Sequence, residues 1–137
     1  MAAFNKFQPF VEYLAEKAFN LGSDTLTYAL CAAASAPVNT NGVLTDLTQI
    51  SYANLSARAN TISSSAQSSG TYKLVLADLV LTASGTVAAF RYLVLYDDTA
   101  ASDQLIGWYD YTSDLTLLNG ETLTIDHDAA NGVLQIA

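Results

Sequence analysis

Two periodicities divide the chain. Phe7, Val11, Leu14, Ala18 and Leu21 recur at alternating spacings of four and three, the pattern of one apolar helical face. Phe4 continues the series backwards and Phe10 widens the stripe. The spacing predicts one N-terminal helix closed by Gly22, a residue type that readily takes the left-handed conformation ending a helix. Pro9 suits a first turn and not an interior, so it marks a second, later start for the same helix. From Ser23 onward the period falls to two. Over residues 25–31, Leu26, Tyr28 and Leu30 share one face; over 90–97, Phe90, Tyr92, Val94 and Tyr96 alternate with Arg91, Leu93 and Leu95. Residues 72–82 are apolar on both faces and read as a central strand. Segments 106–111, 115–118, 121–127 and 132–136 complete the set. Asn41-Gly42, Asn119-Gly120 and Asn131-Gly132 fit tight turns that need positive φ. Ser69-Gly70 and Ser84-Gly85 mark further turns, and the serine-rich stretch 63–70 reads as a loop. Residues 32–60 carry the weakest signal; Val43, Leu44, Leu47 and Ile50 suit either a short strand or one helical turn.

The expected fold is therefore all-β, a sandwich or barrel with one N-terminal helix. Residues 1–22 form a helical arm packed on or between subunits, and 23–137 form the sandwich, a single domain overall. Leu74, Leu76, Val94, Leu123, Ile125 and Leu134 are the expected core.

Composition narrows the function more than the fold. The chain has 137 residues, enough for one domain, and is 51% hydrophobic but only 13% charged. Thirteen acids against five bases give a net charge of −8. Nucleic acid, itself densely negative, is excluded as a partner. Residues 90–137 hold eight of those acids and one base, Arg91, which predicts a negative end or rim. No apolar run approaches the length of a membrane span, and residues 1–10 lack the pattern of a secretory leader.

Candidate chemistry is sparse. His127, the single histidine, stands between Asp126 and Asp128. Alternation puts Leu123, Ile125 and His127 on one face, and one imidazole falls short of a usual zinc ligand set. It reads as a strand-end histidine without catalytic or metal chemistry. Asp97-Asp98, and Asp110 beside Trp108 and Tyr109, are the carboxylates that glycoside hydrolysis would use. The 97–103 loop has oxygen donors for calcium but lacks EF-hand spacing. Cys31 reads as a small core residue. Trp108, Tyr109 and Tyr111 carry bulk on both faces of one strand, which either fills a sheet edge or forms a protein interface. The helical stripe has the same two readings. Phe4, Phe7, Val11, Leu14, Trp108, Tyr109 and Tyr111 are accordingly the candidate subunit or partner contacts. No catalytic, cofactor or metal residue is assigned.

The strings themselves carry a resemblance. Phe10-Val11-Glu12 followed by Asn20-Leu21-Gly22-Ser23-Asp24-Thr25-Leu26 resembles the opening of a family of small tailed-bacteriophage virion proteins. The blocks Ser69-Gly70-Thr71-Tyr72-Lys73-Leu74, Phe90-Arg91-Tyr92 with Leu95-Tyr96, and Ile106-Gly107-Trp108-Tyr109-Asp110-Tyr111 follow in the same order. Gly120-Glu121-Thr122-Leu123-Thr124 and Gly132-Val133-Leu134 complete it. Residues 53–60 depart from the family pattern, which is richer in glycine there. The resemblance implies a jelly-roll-like β-sandwich and a capsid decoration or cement protein, non-enzymatic and without cofactor. It would sit as a homotrimer on the major capsid protein at the virion surface, after synthesis in the host cytoplasm. The alternatives are a tail or fibre component, or a carbohydrate-binding module presenting Trp108 and Tyr109 as an exposed platform.

Overall fold

In the computed structural model, which describes residues 2–137, the centre is a hairpin of two long strands. These are β6 (Phe90–Asp97) and β7 (Leu105–Leu115). Around them the chain lays β1 (Phe4–Lys6), α1 (Phe10–Ala15), β2 (Leu26–Cys31), β3 (Ile62–Ser68), β4 (Thr71–Leu76), β5 (Leu79–Thr82), β8 (Thr122–Ile125) and β9 (Leu134–Ile136). The main sheet has the order β1-β7-β6-β2; a second has β3-β4-β9, and a third pairs β5 with β8. Every pairing is antiparallel. The fold is all-β and sandwich-like, as the period-two runs predict.

Alternation explains how the main sheet is buried on both sides. Leu26, Tyr28, Leu30, Leu93 and Leu95 face one way, into a core shared with Leu74, Leu76, Leu81, Ile125 and Leu134 of the smaller sheets. Ala29, Cys31, Tyr92, Val94 and Tyr96 face the other way and pack with Phe7, Leu105 and Trp108. Leu44 and Leu47 close over that second face. The weakly patterned 32–60 segment thus acts as a cover, with Leu44–Asp46 forming one 3-10 turn. Of the six expected core residues, Leu74, Leu76, Val94, Ile125 and Leu134 are buried and Leu123 is half-buried against the same core.

Besides residues 72–82, which are not one central strand but β4 and β5 in different sheets, two expectations are corrected. The helix is six residues long, Phe10–Ala15, and does not extend over 4–21. Phe4 belongs to β1, which pairs with Tyr109, Trp108 and Gly107 of β7. An edge ladder onto β7 satisfies backbone groups that a frayed first turn would leave to water, and Pro9 then occupies the N-cap. The helix stops where Lys17 takes a φ of 66°, so Ala18, Phe19 and Leu21 lie in irregular turns and Gly22 caps nothing. The second correction concerns 63–70, which is not a loop. Ile62–Ser68 is an edge strand joined to β4 by the two-residue turn Ser69-Gly70, with φ of 50° and 84°. Serine is a poor strand former, but pairing along β4 overrides that preference.

Candidate functional site

One face carries an open groove of about 650 Å³. The turns after α1 contribute Lys17, Phe19 and Leu21 to it; β4 contributes Tyr72 and β9 contributes Ile136. Leu14 and Ala18 of the expected stripe reach the same wall. Its far side is built by Asp24 and by Thr99–Ala101 of the β6–β7 turn. Four backbone-level ties hold that side together. Asp98 N–H donates to Thr25 O (2.8 Å), Thr25 N–H to Thr99 Oγ1 (2.9 Å), Asp97 N–H to Gln104 O (3.0 Å), and Asn20 N–H to Asp24 Oδ2 (2.6 Å).

Asp97 ends β6 directly behind this wall and is wholly buried. Its Oδ1 accepts the N–H groups of Thr99 (2.9 Å) and Ala100 (3.1 Å). Its Oδ2 has no donor among the described residues, and the Asp24 side chain lies beside the carboxyl. Burial, and then the Asp24 contact, push the Asp97 carboxyl up to about 7.

A second polar pair is deeper. Tyr28 projects from β2 into the core, and His127 follows β8 from the opposite side. The two are 2.8 Å apart through Tyr28 Oη and His127 Nε2. His127 Nδ1 lies 2.9 Å from Ala77 O, which can only accept, so Nδ1 carries the proton and Nε2 accepts from the phenol. The His127 N–H donates to Asp78 Oδ1 at 2.9 Å. Burial lowers the imidazole's pKa and raises the phenol's, keeping both neutral. The alternation of Leu123, Ile125 and His127 identifies the inward face correctly. Nothing in the spacing of two residues 99 positions apart reveals that they meet.

The seven candidate contact residues separate. Phe4 packs on Tyr109 with centroids 5.1 Å apart, and Phe7 on Trp108 at 4.5 Å. Phe7 is fully buried, while Trp108 and Tyr109 retain only 9% and 6% exposure. These three side chains are covered by their own chain, which corrects the expectation of an outward aromatic face. Trp108 and Tyr109 form no exposed platform of the kind a sugar-binding module needs. Tyr111 is half-buried and lines a small pocket of about 220 Å³ with Tyr109, Thr124 and Asp126. Leu14 lies in the groove, and Val11 alone points outward, 53% exposed.

The carboxylates are also engaged. Asp110 takes a bidentate pair of bonds from Arg91, 2.7 Å from Nε and 3.0 Å from Nη2, and this partner lowers its pKa. Cys31 is buried, and burial pushes its thiol up to about 11. Among the described residues no group of three or more His, Cys, Asp or Glu side chains could hold a metal ion. No protein-family model, curated protein or solved structure matches this chain.

Proposed function

We propose that this chain is a virion structural protein, a non-enzymatic decoration or cement protein that binds and stabilises the assembled head shell of a tailed phage. The observation that carries the reading is the ordered set of sequence blocks resembling that family, three of which fall on framework strands. Residues 90–96 lie in β6, 106–111 in β7, and 69–74 span the turn into β4. The similarity thus follows the elements that define the sandwich and is not confined to one loop.

The disposition of polar groups supports a role exercised through surface shape. His127, Tyr28 and the Arg91–Asp110 pair satisfy one another, leaving neutral hydroxyl-bearing strands and acidic turns outside. On this reading the partner is the major capsid protein, and the functional unit is a homotrimer. Three copies of one patch then engage neighbouring shell subunits together, so weak contacts add through effective concentration. Binding only the assembled shell favours assembly by mass action.

Cryo-imaging of the particle that carries this chain tests the proposal. The expected result is a β-rich density of this size, repeated in threes on the outside of the shell. Density on the tail would transfer the protein to the tail or fibre class, and absence from the particle would reject the reading.

A further inference from the structure

We propose that Asp24 and Asp97 share one proton, and that this proton clasps the 20–25 turn to the β6–β7 turn, making one wall of the groove responsive to pH.

The argument starts from the oxygen inventory. A buried carboxyl needs partners for both oxygens. Asp97 is wholly buried, and its Oδ1 is supplied by two backbone N–H groups. Its Oδ2 has no donor among the described residues, and the side chain beside the carboxyl is that of Asp24, which when ionised offers only acceptors. Two carboxylates in contact repel; one proton between them turns the contact into a charge-assisted O–H···O bond. Asp24 Oδ2 is already fixed by the Asn20 N–H, so Asp97 Oδ2 is the natural site of the proton and Asp24 its acceptor.

Among the described residues the surroundings do not offer another counter-charge. On β2 the facing residues are Leu26, paired with Asp97, and Thr25, both uncharged. At the start of β7 stand Gln104 and Leu105. Asp98 and Asp103 of the intervening turn, and Arg58 from the segment before β3, act on the neighbouring Tyr96. Lys17 lines the groove alongside Asp24. The raised Asp97 carboxyl, about 7 against an ordinary 3.8, agrees with a shared proton.

The linkage has a definite sign. A carboxyl raised in the folded state stabilises the fold fully below about 3.8, and that contribution is lost as pH rises through about 7. Above that range two anions face each other. Asp97 is held in the sheet, so the 20–24 turn is the part that yields, and it is the part that lines the groove.

Asp97→Asn gives the decisive test, because its amide reproduces the protonated pattern at every pH. Oδ1 still accepts from Thr99 and Ala100, and Nδ2–H donates to Asp24. The expected result is a variant whose stability advantage over the wild type grows between pH 5 and pH 8, by up to about a hundredfold in the folding equilibrium. Carbon-detected NMR of the wild type should show the Asp97 carboxyl titrating near 7. Equal destabilisation of the variant at both pH values would overturn the proposal. If the variant does not fold, a wild-type Asp97 midpoint below 5 overturns it equally. A rise in wild-type Tm on adding calcium at pH 8, abolished by Asp24→Asn, would assign the pair to a cation and not to a proton.

Discussion

The Tyr28 hydroxyl donates to His127 Nε2 across 2.8 Å, and the two rings lie only 10° from parallel. This bond joins β2 of the main sheet to the segment following β8, so it spans the sandwich core. Tyr28→Phe keeps the ring packing but leaves a buried imidazole nitrogen without a donor. The expected cost is about 1–3 kcal/mol, read from urea unfolding at pH 7.5.

The same pair gives a pH dependence opposite in sign to that of Asp97. The folded His127 is neutral and its pKa lies below the ordinary 6.5, while the unfolded imidazole protonates near that value. Stability from this residue is therefore present above 6.5 and is lost as pH falls from there through the lowered folded value. His127→Gln should flatten the acid side of the stability profile relative to wild type. An unchanged slope between pH 6.5 and 5 would show that the imidazole is not held neutral.

Gly107 should be intolerant of any side chain. A Cβ there would stand 2.5 Å from the Phe4 ring and 2.6 Å from Asn5 O, backbone that belongs to β1. Gly107→Ala is expected to displace β1 from β7 at a cost of about 1–3 kcal/mol. Hydrogen exchange should then accelerate at the Phe7 amide, which in the native chain donates to Ile106 O at 3.2 Å.

Cys31 should be inert while the chain is folded. It is wholly buried on β2, and its thiol is pushed up to about 11, so the reactive thiolate is scarce at pH 8. Iodoacetamide should label it only in denaturant. Rapid labelling of the native protein would show that the cover formed by the 32–60 segment opens readily.

The sequence pattern was legible where two faces of a strand differ in chemistry or are both apolar. Tyr28 against Ala29, and Leu93 against Val94, are assigned to opposite faces by period two alone, and each proves buried on its own side. It misled where two periods overlap. Phe4, Phe7, Val11 and Leu14 fit a helix, yet Phe4 and Phe7 are held by long-range partners on β7 that no local pattern encodes. Ser63–Ser65 failed for the converse reason: pairing along β4 makes a strand of residues with little intrinsic strand preference. The groove was illegible throughout, because Leu14, Asp24, Tyr72, Thr99 and Ile136 come together from five separate stretches of chain.

The divided N-terminal stripe changes what its mutation should do. Val11 is 53% exposed, Leu14 is half-buried in the groove, and Phe10 is buried and stacked on Phe19 at 5.4 Å. Phe10→Asp should therefore unfold the chain by placing a charge in the core. Val11→Asp removes no buried contact and should change folding stability by less than about 0.5 kcal/mol. If the arm touches a neighbouring subunit or the shell, as the proposed function requires of its outward face, Val11→Asp should lower self-association or particle occupancy while thermal unfolding stays unchanged. Adding Leu14→Asp tests the groove edge of the same surface, and should deepen the loss with a measurable fall in Tm. Wild-type occupancy of particles by the double variant would move the contact away from the helix, because a valine and a leucine replaced by two anions cannot leave an apolar interface intact.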